Sequence, residues 1–353
     1  MVNRNISSGL SYFVIHLIVE VACFFMLSRM NDDVQFLALV ALAYDGFAFV
    51  PQAIIGSAKD LYPRLKVGLI GATLLLTGFV GFFTLGETQN RVIFWIMLVL
   101  LCLGNAAVHV EGAETTLHTG KGKMTGSALF VGGGSFGVCA GKLLADTTIH
   151  FGYIVALILL LFPLIYLTDK NVRGKELDQS CIGYDFARKD KSVRFVVIAA
   201  FLIVVVRSYI GYGIPTAWKK TVLQTVLLYV FMGTGKCLGG ILIDKIGMYK
   251  TAMLSIIGAL PFLICGNNLM EVSLIGIMLF SMTMAVTLGI LVSVLPECPG
   301  GAFGITTIGL FVGTIPVFFF ASKSFVINSL IIAAASIMCA VLANNVIRKN
   351  KTN

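Results

Sequence analysis

The sequence predicts an all-α polytopic membrane protein, with twelve transmembrane helices in two halves of six. Three observations predict it. Of 353 residues, 58% are apolar and 12% charged, whereas a soluble domain runs about 45–50% apolar and about 25% charged. The apolar residues gather in blocks of 17 to 25 residues, and about 20 helical residues cross a bilayer core about 30 Å thick. The longest polar stretch, 169–194, leaves six blocks on each side. This balance excludes a secreted domain, a disordered regulator and a nucleic-acid binder.

In order, the blocks are 10–28, 34–57, 67–85, 92–113, 124–146, 148–168, 195–214, 221–243, 250–266, 271–295, 300–322 and 324–346. Each is read as a helix, because lipid cannot satisfy open backbone groups. The first carries His16 and Glu20 and lacks a small-residue cleavage site, so it reads as a span rather than a signal peptide. The domains are then an N-terminal half, 1–168, a cytoplasmic linker, 169–194, and a C-terminal half, 195–353.

Basic residues orient the chain. With the N-terminus inside, 18 Lys and Arg fall in inside segments and 6 outside, with Arg207 and Lys236 inside spans. The inside set includes Arg173, Lys175 and Lys351, and the outside set Lys323. Both termini are therefore expected in the cytoplasm of a multi-pass cell-membrane protein. The net charge of +9 then faces the anionic inner leaflet. The eight cysteines include no CxxC pair and read as small apolar packing residues.

The halves repeat. Gly56-Ser-Ala-Lys-Asp60 follows the second block and Gly240-Ile-Leu-Ile-Asp244 the eighth, 184 positions later, each with basic residues beyond (Arg64 and Lys66; Lys245 and Lys250). Gly133 and Gly137 recur as Gly309 and Gly313, 176 positions later. Parallel six-span halves are an architecture of secondary transporters.

The two Gly-x-x-x-Asp loops resemble the signature loop of the major facilitator superfamily, with Leu61 where that family has a basic residue. The first half is similar to the superfamily's fosmidomycin-resistance branch. The likeness lies in His16-Leu-Ile-Val-Glu20, in Asp60-Leu-Tyr-Pro63, and in His109-Val-Glu111 through Gly126, Phe130 and Gly132–Gly137. Val110 stands where that branch has proline. The resemblance implies the major facilitator fold and proton-driven export of small drugs.

Two motifs are set aside. Gly132-x-Gly134-x-x-Gly137 lies inside a spanning block with no preceding strand, so it is not a dinucleotide loop. Gly235-Lys236 lacks the rest of a P-loop. With no ATP site visible, a gradient must supply the energy, and no cofactor is expected beyond protons. The glycines suit close helix packing.

The intramembrane ionisable residues are the sharpest signal, because a charge at mid-helix costs about 2.5–3.5 kcal/mol on insertion scales. His16 and Glu20 share a helical face, and Asp45 lies at similar depth. These three are the expected proton-coupling groups, since a partly buried carboxylate responds to its access to water. Arg207 and Lys236 are the expected substrate-binding cations, Arg207 being charged at all physiological pH values. Either group also suits a structural ion pair between halves.

His109, Glu111 and Glu114 are expected to end the fourth span at the cytoplasmic side as part of a gate with Asp60, Arg64, Asp244 and Lys245. A metal site there is disfavoured, because His109 and Glu111 diverge by about 200° around a helix; no metal is expected. Trp95 and Trp218 suit interfacial anchors.

The function expected is proton-coupled efflux of small drug-like molecules, an anionic class suiting the cations, by a monomer in the bilayer. Uptake of an organic acid or nutrient is the alternative. An enzyme would need a nucleophile–base or metal constellation, and none stands out. A transport-inactive sensor is the other class, and short tails argue against it.

Overall fold

The computed structural model describes residues 4–85, 90–172, 181, 183–214, 216–320 and 324–349. Arg173, Lys175, Lys323 and Lys351, which entered the charge count, and part of the 169–194 linker lie outside them.

Twelve helices are long and apolar enough to cross a membrane. They are α1 (Arg4–Ser28), α2 (Val34–Leu61), α3 (Val67–Leu85), α4 (Arg91–Gly120), α5 (Thr125–Ala145), α6 (Phe151–Lys170), α7 (Val193–Gly213), α8 (Val222–Ile246), α9 (Met248–Cys265), α10 (Met270–Val294), α11 (Pro299–Phe319) and α12 (Phe325–Val346). Side chains start several of them. Asp33 accepts from the Gln35 and Phe36 amides, Asn90 from Val92, and Thr221 forms a reciprocal box with Gln224. Lys121 and Gly122, both at positive φ, turn the chain between α4 and α5. A π-turn at Leu254–Gly258 sits just before Pro261 within α9, where proline cannot donate a helical bond.

Two helices, α1 and α4, outrun the sequence expectation furthest. The helix α1 begins at Arg4 rather than residue 10 because its polar first turns are satisfied by neighbours. Asn5 Oδ1 accepts from the Gly126 amide at 3.0 Å, and Ser8 Oγ meets Thr119 Oγ1 at 2.6 Å. The helix α4 continues to Gly120 because its threonines bond back to their own helix, as Thr116 and Thr119 do at 2.8 and 2.9 Å. Trp218 also departs from expectation: it is buried among Ile210, Leu263 and Leu274.

Within each half the repeated glycines seat equivalent pairs. Gly133, Gly137 and Gly141 bring α5 onto the α1 backbone at Phe13, Leu17 and Val21, and Gly313 brings α11 onto α7 at Val205. Between halves, α5 packs on α8 and α2 on α11. The helix directions put the ends of α2, α4, α6, α8 and α10 beside both chain termini, here called the terminal end. All eight cysteines are free.

Candidate functional site

Asp60 and Asp244 lie at the terminal end, each against the other half. Asp60 accepts from the Gly300 and Gly301 amides at 2.8 and 2.7 Å, capping the start of α11. Asp244 accepts from the Met124 and Thr125 amides at 2.8 and 3.0 Å, capping the start of α5. A carboxylate is favoured there by the open N–H groups and the helix dipole. The motif glycines complete each crossing: a Cβ at Gly56 would run into the Gly300 backbone, and one at Gly240 into the Met124 backbone. Arg64 and Lys245 are exposed and take no ion pair among the described residues. The two halves meet here through carboxylate-to-amide bonds at facing helix N-termini.

The linker adds a strap across this end. Cys181 N donates to Pro296 O, Phe186 N to Ser293 Oγ, and Ala187 pairs with Ile347 in a short antiparallel bridge. Tyr184 OH donates to Leu117 O of the other half at 2.7 Å. Asp185 pairs with Arg348.

Glu111 does not join the gate. It lies inside the first half, where Lys59 Nζ reaches both its oxygens at 3.2 and 3.3 Å and the Gly68 amide donates at 3.0 Å. Glu114 lies 3.8 Å from the same ammonium. Lys59 and Glu111 are fully buried, so this cluster ties α2, α3 and α4 together.

His109 also leaves the gate, for a second reason. Because α4 runs on to Gly120, His109 lies eleven residues from its end, roughly 16 Å into the helix. There it meets His16 and Glu20. His16 Nε2 and His109 Nε2 are 2.7 Å apart, and Glu20 Oε1 is 3.7 and 3.5 Å from them. Each ring's Nδ1 is 2.8 Å from a backbone carbonyl, of Phe130 and Asn105 respectively. A carbonyl only accepts, so both rings carry a proton on Nδ1. Two neutral rings would then face each other with bare Nε2 lone pairs, and the contact requires a proton or another cation between them. Glycine makes the room: a Cβ at Gly134 would strike the His16 ring. Asn105, which sequence reasoning missed, donates to Glu20 Oε1 and Tyr44 OH, both at 3.1 Å. Its signal was its place four residues before His109 on an apolar helix.

Arg207 is buried on α7, and its Nε has no hydrogen-bond partner. Lys236 on α8 and Asp45 on α2 are half-buried. Among the described residues none of the three makes an ion pair or hydrogen bond. Lys236 stands within electrostatic reach of Glu20 and Arg207, and Asp45 of Glu20. Lys236 also lines a small cavity with Ser127 and Val131 of α5 and Leu288 of α10.

No protein-family profile matches the chain, and no curated protein matches its sequence. Solved structures do. FucP, a major facilitator superfamily transporter in the outward conformation, superposes with a TM-score of 0.68 at 17% identity, over 96% of this chain and 97% of that one. The chain has the major facilitator fold. FucP is described as the E. coli fucose:proton symporter. The human organic anion transporter MFSD10 shares this fold at a TM-score of 0.63 and 13% identity, over 96% and 100% of the two chains. A bacterial homologue of the iron transporter ferroportin, in its outward-facing state, gives 0.62 at 14%, over 96% and 98%. These structures are described as transporters or as a transporter homologue, and none is described as belonging to the fosmidomycin-resistance branch.

Proposed function

We propose that the protein is a secondary active transporter working by alternating access, exporting a small anionic molecule in exchange for protons. The observation that carries this is the paired contact of Asp60 and Asp244 with the facing half at the terminal end, which a rocking pair of halves makes and breaks. The outward-facing relatives support reading this end as cytoplasmic, as the basic-residue count does.

Glu20, with His16 and His109, is the coupling group, and Asp45 the second carboxylate of the pathway. Arg207 and Lys236 bind the substrate. Holding two cations at membrane depth without a direct ion pair is costly, and an anionic ligand offsets that cost. The likeness of the first half to the fosmidomycin-resistance branch favours export of a drug-like anion. Uptake by proton symport is the second reading, favoured by the fucose:proton symporter among the structural relatives. In either case the protein works as a monomer in the cell membrane with both termini inside.

A susceptibility panel of anionic drugs tests this in overexpressing cells. The account predicts lower accumulation of at least one compound, lost when the proton gradient is collapsed. Gradient-driven higher accumulation establishes uptake instead, and no effect across anionic compounds with transport of cationic ones removes the anion site.

A further inference from the structure

The cluster of His16, His109 and Glu20 has the parts of a metal centre. Its three ligand atoms lie within 4.8 Å of one another. They come from two helices, so the set is pinned by the α1–α4 packing rather than by one flexible loop. Two imidazoles and a carboxylate are a donor set of zinc-type sites that keep an open position.

The supporting contacts are those a metal ligand needs. A ligating histidine donates its other ring N–H to a carbonyl or carboxylate, which fixes the tautomer. Both Nδ1 atoms do so here, at 2.8 Å. Asn105 holds the Glu20 carboxylate at 3.1 Å. Two nitrogens each about 2.05 Å from a tetrahedral ion stand about 3.3 Å apart, so the 2.7 Å between the Nε2 atoms opens by about 0.6 Å on binding.

We propose that His16, His109 and Glu20 form a binding site for a divalent transition-metal ion of the zinc type. The site goes beyond the transport reading and stands on metal binding rather than on flux. The charges facing it act in known directions: Lys236, from α8, opposes a cation, and Asp45, from α2, favours one.

Purified protein with its affinity tag removed is titrated with Co2+, whose visible absorption reports tetrahedral nitrogen–oxygen ligation, and Zn2+ is then used to displace it. The expected result is one ion per chain. His16→Gln and His109→Gln should each weaken binding at least tenfold, while His150→Gln, exposed at the opposite end, should not. Lys236→Met should tighten it. Thermal unfolding of each variant separates lost binding from lost fold, and the gain in Lys236→Met cannot come from misfolding. Wild-type protein without stoichiometric absorption, or His109→Gln binding as wild type, overturns the site. If gradient-driven transport persists in the presence of a chelator while no metal binds, the metal site alone fails and the transport reading stands.

Discussion

Asp60 and Asp244, 184 residues apart, make the same contact from opposite halves. The amides they cap, Gly300 and Gly301 for one, Met124 and Thr125 for the other, are 176 residues apart in matching order. The repeat seen in the sequence is thus a two-fold latch. Its glycine lets backbones touch and its aspartate holds the facing helix.

Asp244→Asn keeps one acceptor and removes the charge. Charge at a helix N-terminus contributes about 0.3–1 kcal/mol and a charged hydrogen bond about 1.5–3 kcal/mol. The part lost with the charge, about 1–2 kcal/mol, should raise the population of the state open at the terminal end roughly fivefold to thirtyfold. Gly240→Ala should act the same way through its clash with Met124. Labelling of a cysteine placed at Ser127, buried behind the latch, should accelerate from that side. An unchanged rate in both variants removes the latch.

Lys59 and Glu111 are expected to be structural. Lys59→Met leaves a buried carboxylate without its ammonium, a change worth about 3–5 kcal/mol. The unfolding temperature in detergent should fall sharply, and removing both charges with Glu111→Leu should restore much of it. A Lys59→Met protein as stable as wild type contradicts the assignment.

Tyr184 holds the linker strap through Leu117. Burial pushes its phenol well above the ordinary value, with Cys181 and Asp244 adding to the shift. The raised folded-state value means this contribution is present below the ordinary pKa near 10 and is lost as pH rises through the higher one. The strap should therefore be insensitive to pH between 5 and 9. Tyr184→Phe should cost about 1 kcal/mol and increase proteolysis in 181–192; unchanged cleavage would place the strap's hold elsewhere.

Arg207 should bind the substrate's negative charge. Arg207→Gln should abolish transport of the anion and Arg207→Lys retain part of it, with folded protein in both cases. Normal transport by Arg207→Gln would leave Arg207 a structural charge.

The spans were legible because lipid permits few solutions: length and apolar content define each helix. The latch was legible because Gly56-x-x-x-Asp60 and Gly240-x-x-x-Asp244 repeat. The depth of His109 was not legible. It depends on where α4 ends, and Thr116 and Thr119 carry that helix past the apolar block by bonding back to it. The Lys59–Glu111 pair was hidden in the same way, since its partners are 52 residues apart on two helices. Asn105 carried a usable signal in its spacing from His109.

Alternating access controlled at Glu20 is the central claim, and one distance tests it without knowledge of the substrate. Spin labels at Tyr62 and Ile246, both exposed at the terminal ends of α2 and α8, report the separation of the halves by pulsed electron resonance once the exposed Cys265 and Cys298 are replaced. The account predicts two populations in wild-type protein, with a ratio that shifts with pH, and a ratio independent of pH in Glu20→Gln. A single distance at every pH in wild type, or a full pH shift in Glu20→Gln, would contradict it.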